Sequence, residues 1–242
     1  MSAGRQDVHN SNVPALCQSC EARHNGMCGV LNADELLAFA KHTRVVRHGA
    51  GEELLSEGAS ITAYSNVMRG VVKLIKTLAD GRRQIVGLQF APDFVGRLYA
   101  DESAVTAEAA SDVELCRISK RALERMVASN PMLEGRLLKQ ALRDVDEARE
   151  WMVALGRKTA SEKLASFLGQ IGRHLDPMVA QDDRTLAFEL PLTRAEIADF
   201  LGLTIGTVSR ELSRLKRDGI IEIRSRRQIE IIDRQRLQQR SG

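Results

Sequence analysis

The sequence predicts an α+β chain made of an N-terminal antiparallel β-roll, one long helix and a C-terminal winged helix–turn–helix. Three observations predict it. From about Thr43 to Ile118, short runs rich in Val, Leu and Ile alternate with turns bearing Gly and Asp. After Asn130-Pro131, an apolar stripe repeats every three or four residues as far as Leu155. From Thr193 onward, two capped helical segments meet at Gly202 and are followed by two Ile-rich runs.

A length of 242 residues suits one large or two modest domains, and 43% hydrophobic residues suffice for a core. The purely apolar runs are only a few residues long, so no membrane span is expected. The N-terminus carries Arg5, Asp7 and His9 and lacks the apolar stretch of a secretory signal. The expected location is therefore the cytoplasm, where four cysteines serve as ligands or free thiols rather than disulfides.

Residues 1–31 are polar, with Pro14, Gly26 and Gly29, and form a loop that something must tie down. Asn32-Ala-Asp-Glu35 reads as a capping box opening a short helix through about Lys41. In the β-roll, Val71–Ile75 and Gln84–Leu88 flank Asp80-Gly81, a strong hairpin signal, and about eight strands are expected. Asn130 then caps a helix whose first residue is Pro131. Its apolar stripe is Leu138, Ala141, Leu142, Val145, Ala148, Met152 and Leu155. The seam Leu138, Ala141, Val145, Ala148, Met152 and Leu155 suits pairing with the same helix of a second copy, giving a homodimer. Thr159-x-x-Glu162 opens a further helix with Leu164, Phe167, Leu168 and Ile171 on one face. Asp176 to Arg184 is a loop and Thr185–Leu190 a short strand. The expected boundaries are 1–31 for the N-terminal loop, 32–129 for the β-roll, 130–156 for the dimerisation helix and 157–242 for the winged module.

Within that module, Thr193-x-x-Glu196 caps a helix over 194–201, and Thr204 caps the next through about Asp218. Ile220–Ile223 and Ile229–Ile232 form the wing. The second helix of such a motif enters the major groove of double-stranded DNA. Positions 206, 209 and 210 share one face, with Arg214 a turn further. Arg210 suits a bidentate contact to guanine, and Ser209 a contact to a neighbouring base, with Gly206 beside them. Arg214, Lys216, Arg226 and Arg227 suit phosphates, as do Thr193, Thr204 and Thr207 at or near the helix starts. Charge distribution agrees: residues 190–242 hold eleven Lys and Arg against seven Asp and Glu, whereas residues 1–189 hold 24 against 25. No Gly-rich phosphate loop, nucleophile–base order or paired carboxylate setting points to an enzyme. An electron carrier would have no use for the winged module.

The cysteines stand as Cys17-x-x-Cys20-x7-Cys28, with Cys116 far downstream. Thiolates select zinc, Cu(I) or iron–sulfur clusters. Structural zinc sites usually pair two short ligand couples, and this chain has only one. A cubane accepts uneven spacing because each iron takes one thiolate. Spacing thus favours a cluster over zinc, with unrelated buried thiols as a third reading. His9 and His24 read as solvated bystanders.

Four stretches stand out beside this layout: Gly70-Val-Val-Lys73, Asp80-Gly-Arg82, Ile197-Ala-Asp-Phe-Leu-Gly-Leu-Thr204 and Thr207-Val-Ser-Arg210. Through them the whole layout resembles the cAMP-receptor/Fnr superfamily of bacterial regulators. The cysteine spacing is similar to the oxygen-sensing Fnr branch, of the FnrN and FnrL type. It implies a β-roll of the cyclic-nucleotide-binding kind and a 4Fe–4S cluster on Cys17, Cys20, Cys28 and Cys116 that oxygen disassembles. It also implies cluster-controlled dimerisation, contact with RNA polymerase and control of low-oxygen genes at palindromic sites with TTGA-type half-sites. The same cysteines could instead report nitric oxide or redox state. Two departures matter. The Fnr recognition helix usually has Glu where this chain has Gly206, which weakens the half-site inference. The superfamily's nucleotide-gripping stretch reads Gly96-Arg-Leu-Tyr-Ala100 and Ala104-Val-Thr-Ala-Glu108 here. Arg97 stands at the ribose carboxylate position, the phosphate arginine is missing, and Glu108 is expected to repel an anion. No cyclic nucleotide is expected.

Overall fold

The computed structural model describes residues 13–18, 20–175 and 185–242. His9 and the loop expected over 176–184 lie outside the described residues. Two compact units emerge, one of residues up to Lys76 with Gly87–Val145, the other of Thr77–Val86 with Asp146–Gly242. The division falls inside the long helix.

In the first unit, the cysteine-bearing segment is more ordered than a plain loop. It contains the single turns α1 (Ala15–Gln18) and α2 (Glu21–His24), then a 3-10 turn at Met27–Val30. Helix α3 (Ala33–Ala40) starts at the expected capping box: Glu35 N–H donates to Asn32 Oδ1 (3.0 Å), and Asn32 N–H donates to Glu35 Oε2 (2.8 Å). Eight strands follow: β1 (Thr43–His48), β2 (Glu53–Leu55), β3 (Ala63–Arg69), β4 (Val71–Thr77), β5 (Arg83–Phe90), β6 (Phe94–Val95), β7 (Thr106–Ala109) and β8 (Val113–Ser119). They form two four-stranded sheets, ordered β1-β8-β3-β6 and β2-β7-β4-β5. Val67, Val72, Ala107, Ala109, Val113 and Leu115 fill one core of this roll. At the predicted hairpin, whose residues Thr77–Val86 fall in the second unit, Leu78 N–H donates to Arg82 O (2.8 Å) and Arg82 N–H to Asp80 Oδ1 (3.1 Å).

One expectation needs correction here. Glu108 sits opposite Lys73 in the β4–β7 pairing, and Lys73 Nζ lies 2.6 Å from Glu108 Oε1 in a buried ion pair. The carboxylate is neutralised inside the fold, so repulsion by Glu108 is no reason to exclude an anionic ligand.

Helix α4 (Lys120–Ser129) was not among the expected elements. Ser119 caps it by accepting from Ala122 N–H (3.3 Å), and Ala122, Leu123 and Val127 are buried. Helix α5 (Pro131–Arg157) follows at once. Asn130 Oδ1 accepts from Met132 N–H (3.1 Å) and Leu133 N–H (3.0 Å), as the Asn-Pro signal predicts. Asn130 Nδ2 also donates to Glu35 Oε1 (2.7 Å), so one carboxylate serves the starts of α3 and α5.

The second unit holds α6 (Ala160–Leu175), β9 (Leu186–Glu189), α7 (Arg194–Leu201), α8 (Ile205–Arg217), β10 (Ile221–Ile223), β11 (Gln228–Ile231) and α9 (Arg234–Arg240). The strands form an antiparallel sheet ordered β10-β11-β9, the expected wing. Phe200 of α7 anchors the core, edge-on to Trp151 at 4.5 Å and tilted against Phe167 at 5.6 Å. Gly202 ends α7 with a left-handed backbone (φ 62°), which a glycine adopts without steric cost. That turn lets Leu203 N–H return to Ala198 O (3.0 Å) and sets the angle between α7 and α8. Asp233 caps α9, an element not expected from the sequence. No helix among the described residues is long and apolar enough to cross a membrane.

Candidate functional site

The cysteines come together from three backbone settings. Cys17 lies in α1, Cys20 between the two single turns, Cys28 in the 3-10 turn, and Cys116 in the middle of β8. All four are free and buried. Cys17, Cys28 and Cys116 share one apolar cluster with Met27, Phe39, Tyr64, Leu133 and Leu137. The cluster thus reaches from the cysteine segment to the first turns of α5. Beside Cys28, a Cβ at Gly29 would come 3.1 Å from the carbonyl oxygens of Arg23 and His24, tighter than ordinary contact. His24 itself is exposed.

The four thiols feel one another. Burial pushes Cys28 well above the ordinary thiol range, and neighbouring Cys116, Cys20 and Cys17 push it further. Burial pushes Cys116 up to about 12, with Cys20 and Cys17 adding to the rise and a hydrogen bond with the Thr43 side chain opposing it. Burial and Cys20 raise Cys17, against the nearby cation of Arg23. Without a bound cation Cys17, Cys28 and Cys116 are protonated thiols at neutral pH, and taking up a metal centre must release protons. No group of three His, Cys, Asp or Glu side chains among the described residues is arranged to hold a single metal ion. Zinc would need its thiolates on one centre, with Zn–S of about 2.3 Å. A cubane instead takes one thiolate at each of four irons and needs sulfurs spread around it. Four neighbouring soft donors in a largely apolar setting suit a thiolate-bound metal centre, and a cubane accepts their uneven spacing in the chain.

Two residues at this site were missed by sequence reasoning. Asn66 of β3 lies opposite Cys116 in the sheet register, and its Nδ2 is 3.8 Å from Cys28 Sγ. Arg136 of α5 donates from Nε to Gly26 O (3.1 Å) and from Nη2 to Asn25 O. The guanidinium therefore grips the backbone just ahead of Cys28. Nothing in the local pattern of either residue signals these long-range contacts.

Helix α5 buries Leu133, Leu137 and Ala154 and turns the expected seam outward. Leu138 is 58% exposed, Val145 44% and Met152 71%, and Ala141, Ala148 and Leu155 are exposed with them. Leu142 and Val153 are exposed apolar neighbours. Glu147 is drawn to Gln170 of α6 by a hydrogen bond.

In α8, Val208, Leu212 and Leu215 are buried, while Gly206, Arg210 and Arg214 are exposed. Thr204 caps the helix by accepting from Thr207 N–H (3.1 Å). Its hydroxyl lies 2.9 Å from that of Thr207, which accepts from Arg210 Nη2 (3.0 Å). Ser209 is half-buried and accepts from Arg194 Nη1 (3.4 Å), a further residue the sequence reading missed. Thr193 is occupied in its capping box with Glu196. Lys216, expected at phosphate, pairs with Glu222 of the wing (2.6 Å), an exposed pair of small net worth that a phosphate can displace. Arg214 lies 4.0 Å from Glu211. Arg226 is exposed and Arg227 half-buried at the wing tip.

The β-roll contains a cavity of about 170 Å³, lined by Leu54, Leu74, Val105 and Leu115 with Arg97 and Arg117 among the polar side chains. That is below the range of about 300–1,000 Å³ usual for small-molecule sites.

Two family models match the chain: a cyclic nucleotide-binding domain over residues 45–130 and a Crp-like helix-turn-helix domain over residues 162–240. A probable transcriptional activator of Rhizobium leguminosarum bv. viciae is 48% identical over 238 residues, 98% of each chain. The transcriptional activator protein FnrL of Cereibacter sphaeroides is 38% identical over 234 residues, 95% of this chain and 94% of that protein. Among solved structures, FixK2 from Bradyrhizobium japonicum superposes with a TM-score of 0.76 at 31% identity, covering 83% of this chain and 98% of that one.

Proposed function

The chain belongs to the Crp/Fnr family of DNA-binding transcription regulators, and from this we propose that it is a homodimeric activator sensing oxygen through a 4Fe–4S cluster on Cys17, Cys20, Cys28 and Cys116. One observation carries this reading. Four buried thiols, one of them far downstream in sequence, are close enough to act on one another, and Cys17, Cys28 and Cys116 share the core that also holds Leu133 and Leu137 of α5. A bound cluster would supply four iron–thiolate bonds, labile to oxygen, that tie the cysteine segment to β8.

The chain's own residues pass that state onward. Arg136 links the backbone at Asn25 and Gly26 to α5, while Leu133 and Leu137 pack in the same apolar core as Cys28. The exposed seam from Leu138 to Leu155 then pairs with a second copy. Pairing presents two α8 helices to half-sites about one DNA turn apart, which is why the target is palindromic. Arg210 reads a guanine, Ser209 a neighbouring base, and Arg214, Arg226 and Arg227 neutralise phosphates. The TTGA-type half-site follows the family, with the position opposite Gly206 left open. Arg97 and the small cavity speak against a cyclic nucleotide, leaving the β-roll as cluster partner and RNA polymerase contact.

Anaerobic purification tests the reading. The expected result is a visible iron–sulfur absorption with about four iron and four sulfide per chain, bleached by air, and lost on replacing any of the four cysteines by Ala. A Cys116→Ala protein with a full complement of iron and sulfide would overturn the four-ligand assignment.

A further inference from the structure

Asn66 is the polar side chain that the apolar core around the cysteines leaves unexplained. It is 1% exposed. On β3 it alternates with Val67, which faces the interior of the β-roll, and shares its face with Tyr64, which packs with the cysteines. An apolar side chain would suit that position. Instead the carboxamide sits opposite Cys116 on β8 and reaches Cys28 Sγ with Nδ2 at 3.8 Å. Its Oδ1 is buried with no hydrogen-bond partner among the described residues. The fold therefore carries an unsatisfied carbonyl oxygen in order to keep an amide N–H beside one sulfur, an arrangement that costs stability and caps no element.

We propose that Asn66 is a positioning residue for the metal centre, donating an N–H hydrogen bond to the Cys28 thiolate and holding that sulfur in its ligating state. This rests on the cluster reading above. A thiolate has lone pairs and no hydrogen, so the NH₂ end of the amide is the end that can face it. A hydrogen bond to a charged acceptor is about twice as strong as a neutral one. Such donors orient metal ligands and adjust the electron density on their sulfurs.

The test uses the full chain, reconstituted anaerobically with iron and sulfide, as wild type, Asn66→Leu and Asn66→Asp. Leucine keeps the branched outline of the side chain, with bulkier methyl ends, and removes both the donor and the orphaned oxygen, so the cluster-free Asn66→Leu protein should melt close to wild type. With the cluster bound, its iron–thiolate Raman stretch should move to higher frequency, and iron should pass to an anaerobic chelator about tenfold faster, the scale of one hydrogen bond to a charged group. Asn66→Asp, which sets a carboxylate against the thiolates, should retain less iron than either. An unchanged stretch and release rate in Asn66→Leu would overturn the proposal, as would a lowered melting temperature of its cluster-free form, which would assign Asn66 a structural role. Failure of the wild type itself to take up iron and sulfide would overturn the cluster reading, and this inference with it.

Discussion

Replacing Gly206 by Glu should make the DNA reader more selective and the winged unit more stable at the same time. Gly206 is the second residue of α8, and a Cβ added there meets nothing nearer than Arg210 Nη1 and Thr204 Oγ1, each at 3.9 Å. The new side chain therefore enters without displacing a neighbour, and its carboxylate can reach the Arg210 guanidinium. Removing a glycine from the helix contributes about 0.5–1 kcal/mol. A negative charge in the first turn adds about 0.3–1 kcal/mol through the helix dipole. A carboxylate accepting from a cytosine amine discriminates by about 1–3 kcal/mol, or roughly 5- to 150-fold. The same charge repels phosphates, so affinity for unrelated sequences should fall slightly. Fluorescence anisotropy on duplexes substituted at each half-site position, at one fixed salt concentration, measures the gain. A wild-type protein already as selective as Gly206→Glu at every position would refute the reasoning.

Three further outcomes are expected. Arg210→Ala should cost about 1–3 kcal/mol on the specific site and relax one base pair, whereas Arg226→Ala should weaken all sequences alike and reduce the salt slope by about one; the same duplex panel separates them. The α5 seam has small Ala148 at its centre and Glu147 drawn toward Gln170, so cluster-free protein should stay partly dimeric at micromolar concentration. Ala148→Asp should make dimerisation depend on the cluster, and sedimentation of air-exposed samples would count against this if wild type ran as a clean monomer. Burial, together with donation to Glu124 (2.7 Å), pushes the Tyr64 phenol well above the ordinary tyrosine range. The unfolded chain then loses that proton first, so stability should fall as pH rises above about 10. Tyr64→Phe should blunt that alkaline loss in thermal melts while lowering stability near neutral pH by about 0.5–1.5 kcal/mol.

Much of this molecule can be read locally, and the exceptions share a cause. Asn32, Asn130, Thr193 and Thr204 announce helix starts because capping is a transaction between residues three apart. Asp80-Gly81 and Gly202 mark turns for the same local reason. Helix α4 escapes the sequence reading because its ten residues sit directly between a strand and a longer helix and blend into their surroundings. Helix α9 buries Leu237 alone, too little for an apolar period to show. At the candidate site, the four thiols are visible as a spacing. Asn66 and Arg136 are not, because they meet the cysteine segment across sheet register and helix packing. The ion pair of Lys73 and Glu108 belongs to the same class: cross-strand register decides it.

The grip of Arg136 has a consequence for how this region can vary. Both acceptors are main-chain oxygens, of Asn25 and Gly26, so the guanidinium senses where the chain runs and is blind to which side chains it carries. Substitutions at position 25 can accumulate without disturbing the junction, while a one-residue insertion or deletion between Cys20 and Cys28 would shift the carbonyl pair out of reach. Spacing, more than composition, is what this stretch has to preserve.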